Sequence, residues 1–302
     1  MRTTTFENLG TKIDKSTTLV DGLPKDFCFG VKKQPLFYTS SEGELKKLSG
    51  TSTIVNVETQ QAYGPVSDKY CPIDNATALG PVAYMDGLTL KKYGSTEKGV
   101  QWLIGELEHR TILGDDFAPH LVFRNSFDGS TPIQMAIMPL RIVCQNQITM
   151  ATKTSNISFN LRHTSTAMDK IEEGHRLIIK AEEFMKDFAK RAEELACVKV
   201  GERDVRVIIE NMFPTDGKSE LQAKRLQARK DDFIRALNSF DNANFKGTAW
   251  GIVNAYADLM THYEPERKTK TSEENKFMSV TFDQRWMGIM LNLIASTMAR
   301  KA

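Results

Sequence analysis

The sequence has no apolar run long enough to span a membrane: nowhere in its 302 residues do about 18 apolar side chains follow one another. Its first residues, MRTTTFENLGTKIDK, contain no apolar signal-peptide core. The expectation is a protein that stays in the cytoplasm, with no membrane partner. Cysteine is scarce and dispersed. Cys28, Cys71, Cys144 and Cys197 form no CxxC pair and no zinc-finger spacing, so free thiols are expected rather than a disulfide framework. An excess of one charge sign is also missing. Forty basic residues against 38 acidic ones leave a net charge of +2. Bulk charge therefore does not mark a nucleic-acid binder, although a local basic groove can sit on a nearly neutral protein.

Two catalytic signatures are absent as well. The five histidines, at 109, 120, 163, 175 and 262, make no HxH or HExxH pair. TDGKSE looks like the end of a phosphate-binding loop, but Met212 stands where the leading glycine is required. The plainer reading is a loop followed by Ser219 as a helix cap. No cofactor is expected.

What is present is an ordinary globular composition, 40% apolar and 26% charged, enough to bury a large core. Residues 1–50 alternate short apolar and polar pieces broken by Gly and Pro, and read as an arm or short strands. Residues 51–265 read as the core domain, and 266–302 as a polar linker with a C-terminal helix. Within the core, HLVFRNS and PIQMAIMPLRIVC read as two strands joined by a turn at FDGST, because Asp-Gly supplies the positive φ a hairpin needs. Pro139 suggests a bulge or an edge in the second of these. NISFNLRHT contains a third strand. From Ser165 to Val198 apolar residues recur at helical spacing, in rows Ile171, Ile178, Met185, Ala192 and Ala181, Phe188, Leu195. That seam is expected to pack on the chain's own sheet or on a neighbouring helix rather than in a dedicated coiled coil. Further helices are expected over 219–240, with Leu226, Phe233, Leu237 and Phe240 as its buried stripe, over 248–263 and over 282–300. The polar run 264–276 reads as a mobile loop. Strands first and helices after give an α+β fold: an antiparallel sheet with a central hairpin, packed by a long helix and followed by a helical C-terminal part.

Three sets of residues could carry chemistry. Asp115, Asp116 and His120 in GDDFAPH, with Asp128 added, have the ligand types of a metal-dependent nuclease, though an Asp pair after Gly is also what a turn uses. Cys144 and His163 have the types of a nucleophile and its base, though a cysteine inside an apolar strand usually packs. The third set is basic and polar. Arg124, Arg141, Lys153, Arg162 and His163 lie on or around the strands, with Asn125, Gln145 and Asn146. Lys218, Arg225 and Arg229 fall on roughly one face of the second long helix. A phosphate backbone asks for this combination: cations to neutralise charge, and amides to donate hydrogen bonds. A solvated helix face with sheet-edge arginines would look the same by spacing alone.

The segments NSFDGSTPIQMAIMPLRIVCQNQI, RHT and GTAWGIVNAYADLMTHYEP, together with VSDKYCPIDN, resemble the phage/plasmid-like protein family (domain of unknown function 932). The resemblance covers roughly residues 50–265. Because that family is carried largely by phages, plasmids and prophages, often among replication and recombination genes, the resemblance implies a nucleic-acid role. A looser similarity is to annealing recombinases of the Rad-fifty-two and Erf type, which place a β-hairpin sheet before a long helix, assemble into rings and hold single strands in a basic groove. What the resemblance implies is a non-hydrolytic protein binding or annealing single-stranded DNA. Its partner would be that DNA, and it would work as a homo-oligomer, with a ring among the arrangements implied. The alternatives are a phage factor that binds host machinery and the metal-dependent nuclease.

Overall fold

The computed structural model describes residues 9–13, 23–82, 85, 87–141, 146–147, 158–171, 175–262, 272–282 and 285–299. The fold is α+β, as the order of periodicities implies. It contains two antiparallel sheets. The smaller is formed by β1's chain neighbours β2 (Val31–Thr39), β3 (Leu45–Asn56) and β4 (Ala62–Ser67), in that order, while β1 itself (Thr11–Lys12) lies at one edge of the larger. The larger sheet runs β1, β5 (Thr89–Ser95), β6 (Val100–Glu106), β8 (Asp115–Ser126), β9 (Ile133–Arg141), β10 (Asn146–Gln147). β7 (Arg110–Ile112) pairs with β8, and β11 (Ser158–Leu161) pairs with β9.

The hairpin of β8 and β9 is the centre of this sheet, and both strands are buried on both faces. That explains their near-continuous apolar runs, since a strand covered on two sides does not alternate. The two faces are kept apart by the period of two. Phe117, Leu121 and Phe123 point to one side, into the main core. Trp102, Ile104, Val122, Met138 and Leu140 point to the other, into a second core.

Pro139 lies in an unbroken register with β8, opposite Pro119. The Pro119 carbonyl accepts from the Leu107 amide, so it faces away from β9. A residue's N–H and C=O point to the same side of a strand, so neither proline removes a donor from the β8–β9 ladder. Pro139 instead faces the gap between β11, which pairs with residues 133–136, and β10, which pairs with 140–141. The edge expected from the sequence is thus real but local.

The helices follow. α1 (Asn75–Leu79) is capped by Asp74, whose carboxylate accepts from the Thr77 amide. α2 (Ala167–Ile171) and α3 (His175–Cys197) cover the span read as one long helix. Ala181, Met185, Phe188, Ala192 and Leu195 are buried, and Phe188 packs edge-on against Phe117 of the sheet, centroids 5.5 Å apart. The seam therefore does pack on the chain's own sheet. α4 (Glu202–Met212) had no counterpart in the sequence reading; its start is fixed by Asp204, which accepts from the Gly201 amide at 2.8 Å. α5 (Glu220–Leu237), α6 (Ala249–His262) and α8 (Arg285–Ala299) fall where helices were expected. α7 (Ser272–Phe282) occupies part of the stretch read as a mobile loop. Its Phe277 and Met278 close the second core against the sheet, a role that two apolar residues in a polar run do not advertise.

Phe240 corrects one expectation. It is 93% exposed, because α5 stops at Leu237 and the chain turns into a 3-10 run, Phe240–Phe245, before reaching Phe240's helical position. In the small sheet, β3 runs from Leu45 to Asn56 and so spans residue 50.

Candidate functional site

The residues that look most chemical in the sequence are the joints of the fold. Asn125 is fully buried; its amide donates to the Ile73 carbonyl and to Asn75 Oδ1, both at 3.0 Å, and its own carbonyl accepts from the Ser126 amide. Ser126 Oγ closes the turn through Thr131, and Asp128 accepts from the Ser130 amide. Gly129 takes φ +72°, which only glycine adopts freely. Tyr70 reaches in and donates its hydroxyl to the Ser126 carbonyl at 2.6 Å. NSFDG thus ties the hairpin turn to the loop that leads into α1.

Arg141 is 2% exposed and joins the sheet to the helical half. It pairs with Asp115 at 2.6 Å, donates to the Asp241 carbonyl at 2.7 Å and lies 5.4 Å from the centroid of the Phe245 ring. His163 stacks on Tyr70 with centroids 4.5 Å apart, and its Nδ1 lies 3.3 Å from the Cys71 carbonyl. Burial pushes it down to about 4, partly opposed by that carbonyl. Arg124 is half-buried beside α7. Burial works against its charge, while Glu274 and Asp128 favour it.

The acidic set does not converge. Asp115 and Asp116 are consecutive on β8 and so point to opposite faces: one pairs with Arg141, the other accepts from Thr111 Oγ1 at 2.9 Å. Asp128 lies beyond the far end of that twelve-residue strand, at least about 35 Å of extended chain away. His120 is buried with Nδ1 2.8 Å from the Ala118 carbonyl and Nε2 3.5 Å from Glu106. That histidine, with Lys91, holds Glu106 down at about 2. Among the described residues no group of three His, Cys, Asp or Glu could hold a metal ion. Cys144, Gln145 and Lys153 lie outside the described residues, and Asn146 sits on β10 opposite Arg141. Arg162 is exposed just past β11.

Three of the expected cations do come together. Lys218, Arg225 and Arg229 line one open cleft of about 510 Å³, with Gln222 between them. The start of α5 is set by a capping box in which Ser219 and Gln222 satisfy each other's amides. From there, positions 222, 225 and 229 recur on one helical face. The opposite wall is Met212 and Phe213 at the end of α4, Tyr256 of α6 and Ile289 of α8; Leu226 completes the lining. Tyr256 is itself pushed up to about 12 by burial, with Arg229 pulling the other way, so it is a neutral hydroxyl at working pH. The neighbouring Lys230 turns inward and is held by Glu210 of α4. The cleft therefore has a cationic rim and a partly apolar floor, and no carboxylate stands among the described residues that line it. A second cleft, about 530 Å³ between the two sheets, has one lysine against Asp26, Glu58 and Glu97 in its lining, so it does not suit an anion. The groove was legible through its helical spacing. Its apolar wall was not, because it is assembled from three other helices.

The model of the family described as domain of unknown function (DUF932) matches residues 62–281. The chain belongs to this DUF932 family. The match takes in the hairpin turn, the Arg141 joint, the α5 groove except Ile289, and all but the last residue of α7. Neither a curated protein nor a solved structure matches the chain. The small sheet's β2 and β3 lie wholly before the DUF932 match begins.

Proposed function

We propose that this DUF932 protein binds single-stranded DNA along the α5 groove, without hydrolysing nucleotides, in phage or plasmid recombination or replication inside a bacterial host. The observation that carries the reading is the convergence of Lys218, Arg225 and Arg229 on one open cleft with Gln222 and Tyr256. Arg225 and Arg229 stand about 6 Å apart along the helix axis, so they address successive positions of an extended backbone. Gln222 adds a neutral donor, and the apolar wall offers a surface to bases that a duplex would keep stacked away. Arg162, exposed beyond β11, is an additional proposed contact. Asn125, Arg141 and His163 enter the proposal only as the joints that position these elements.

The test is a fluorescence titration with single- and double-stranded oligonucleotides at two salt concentrations. Three phosphate contacts predict a log–log salt slope of about −2 for the single strand. Reversing the charge in an Arg225→Glu/Arg229→Glu variant is expected to abolish binding while the circular dichroism spectrum is retained. Flat curves for the wild type at low salt would overturn the proposal.

A further inference from the structure

The outer half of the β2–β3 ribbon stands away from the rest of the chain. Apart from Leu36, residues 35–39 and 45–50 are exposed, whichever face of the ribbon they occupy. A two-stranded ribbon with nothing packed on it is marginal in water. This one nevertheless carries Phe37, Tyr38, Leu45 and Leu48 with 51, 49, 70 and 42% of their surfaces exposed. The register places Phe37 opposite Lys47 and Thr39 opposite Leu45 on one face, and Tyr38 opposite Lys46 on the other. At the end is the turn Ser40-Ser41-Glu42-Gly43-Glu44, closed by the Gly43 amide on the Ser40 carbonyl. The arm therefore has apolar shoulders and an acidic tip, and Lys46 is already paired with Glu44 at 3.2 Å.

The α5 groove has the complementary chemistry. Its floor is Met212, Phe213, Leu226 and Ile289, and its rim is cationic. We infer that the acidic tip of the ribbon docks in the α5 groove of a second copy of this chain. Glu42 and Glu44 would meet Lys218, Arg225 and Arg229, while Phe37 and Leu45 cover the apolar wall. A nucleic acid is the poorer partner for the arm, because its leading end presents two carboxylates to a phosphate backbone. Each copy offers one arm and one groove, so the contacts close as a reciprocal pair or as a ring. The inference uses the groove of the proposed DNA site but not its ligand; it makes the arm and an anionic strand competitors for the same cations.

The experiment is sedimentation velocity of the full chain, without nucleic acid, at low and high salt. The wild type is expected to self-associate at low salt and to dissociate as salt rises. Glu42→Lys/Glu44→Lys, on an exposed turn where folding is not at stake, is expected to weaken association at least tenfold, and so is Arg225→Glu/Arg229→Glu. Combining the two reversals restores the charge pairing in the opposite sense and is expected to restore assembly. A monomeric wild type, assembly that survives the tip reversal, or a combined variant that stays apart in spite of a native spectrum would each overturn the docking. A flat oligonucleotide titration alongside salt-labile assembly would instead defeat the DNA reading and leave the docking standing.

Discussion

His163 shows how a residue chosen for its reactivity is put to structural use. Its ring is buried against Tyr70 and bound to a carbonyl, and the proton it would need to become charged has no room in water. Because its folded value lies near 4, below the ordinary 6.5, the unfolded chain takes up that proton first as pH falls. Its contribution is complete above about 6.5 and is lost as pH drops towards 4. Unfolding free energies from urea titrations between pH 7.5 and 4 are expected to fall for the wild type by on the order of 2–3 kcal/mol from this group. A His163→Gln variant is expected to lose that part of the slope. At this position, as at Asn125 and Arg141, the residue type is legible in the sequence and the partner is not. Arg141 finds Asp115 at a separation of 26 residues and Asp241 at 100, and no local pattern carries such distances.

At the scale of the element, legibility follows burial geometry. The α3 seam and the α5 cations could be read because one face of each helix is treated alike. β8 and β9 were read from continuous apolarity and an Asp-Gly turn. In residues 1–50 only an arm or short strands is legible, not the long β2–β3 pairing, because the ribbon's outer half faces water on both sides, which erases alternation. α4 and α7 escaped because each is short and shows its apolar side only to neighbours distant in sequence. α6 illustrates a constraint visible only in three dimensions. A Cβ on Gly251 would come 2.3 Å from the Phe245 carbonyl oxygen, which is backbone and cannot swing aside. Gly251→Ala is therefore expected to destabilise by about 1–3 kcal/mol even though alanine is the better helix former. Thermal unfolding of the variant, with Gly288→Ala on α8 as a comparison in open space, measures the difference.

For the whole molecule, the sequence order of strands before helices disclosed the class, and the Arg141 joint adds a polar tie to the apolar packing that already joins sheet and helices. Removing one partner of a buried pair leaves the other charged and alone, so Arg141→Ala is expected to cost about 3–5 kcal/mol. Arg141→Met combined with Asp115→Asn removes both charges and is expected to recover much of that loss. A double-mutant cycle by urea denaturation measures the coupling; a cycle with no coupling would mean that the halves are held by packing alone. The opposed prolines of β8 and β9 bear on the same body. At that level neither strand carries an amide proton, so hydrogen exchange reports nothing from the row itself, and the outward bond there is the one the Pro119 carbonyl accepts from the Leu107 amide. On one side of the row lies the Arg141 joint and on the other the Asn125 turn. Exchange protection of the Leu107 amide therefore reads out, from outside the hairpin, whether the sheet between those two joints stays closed.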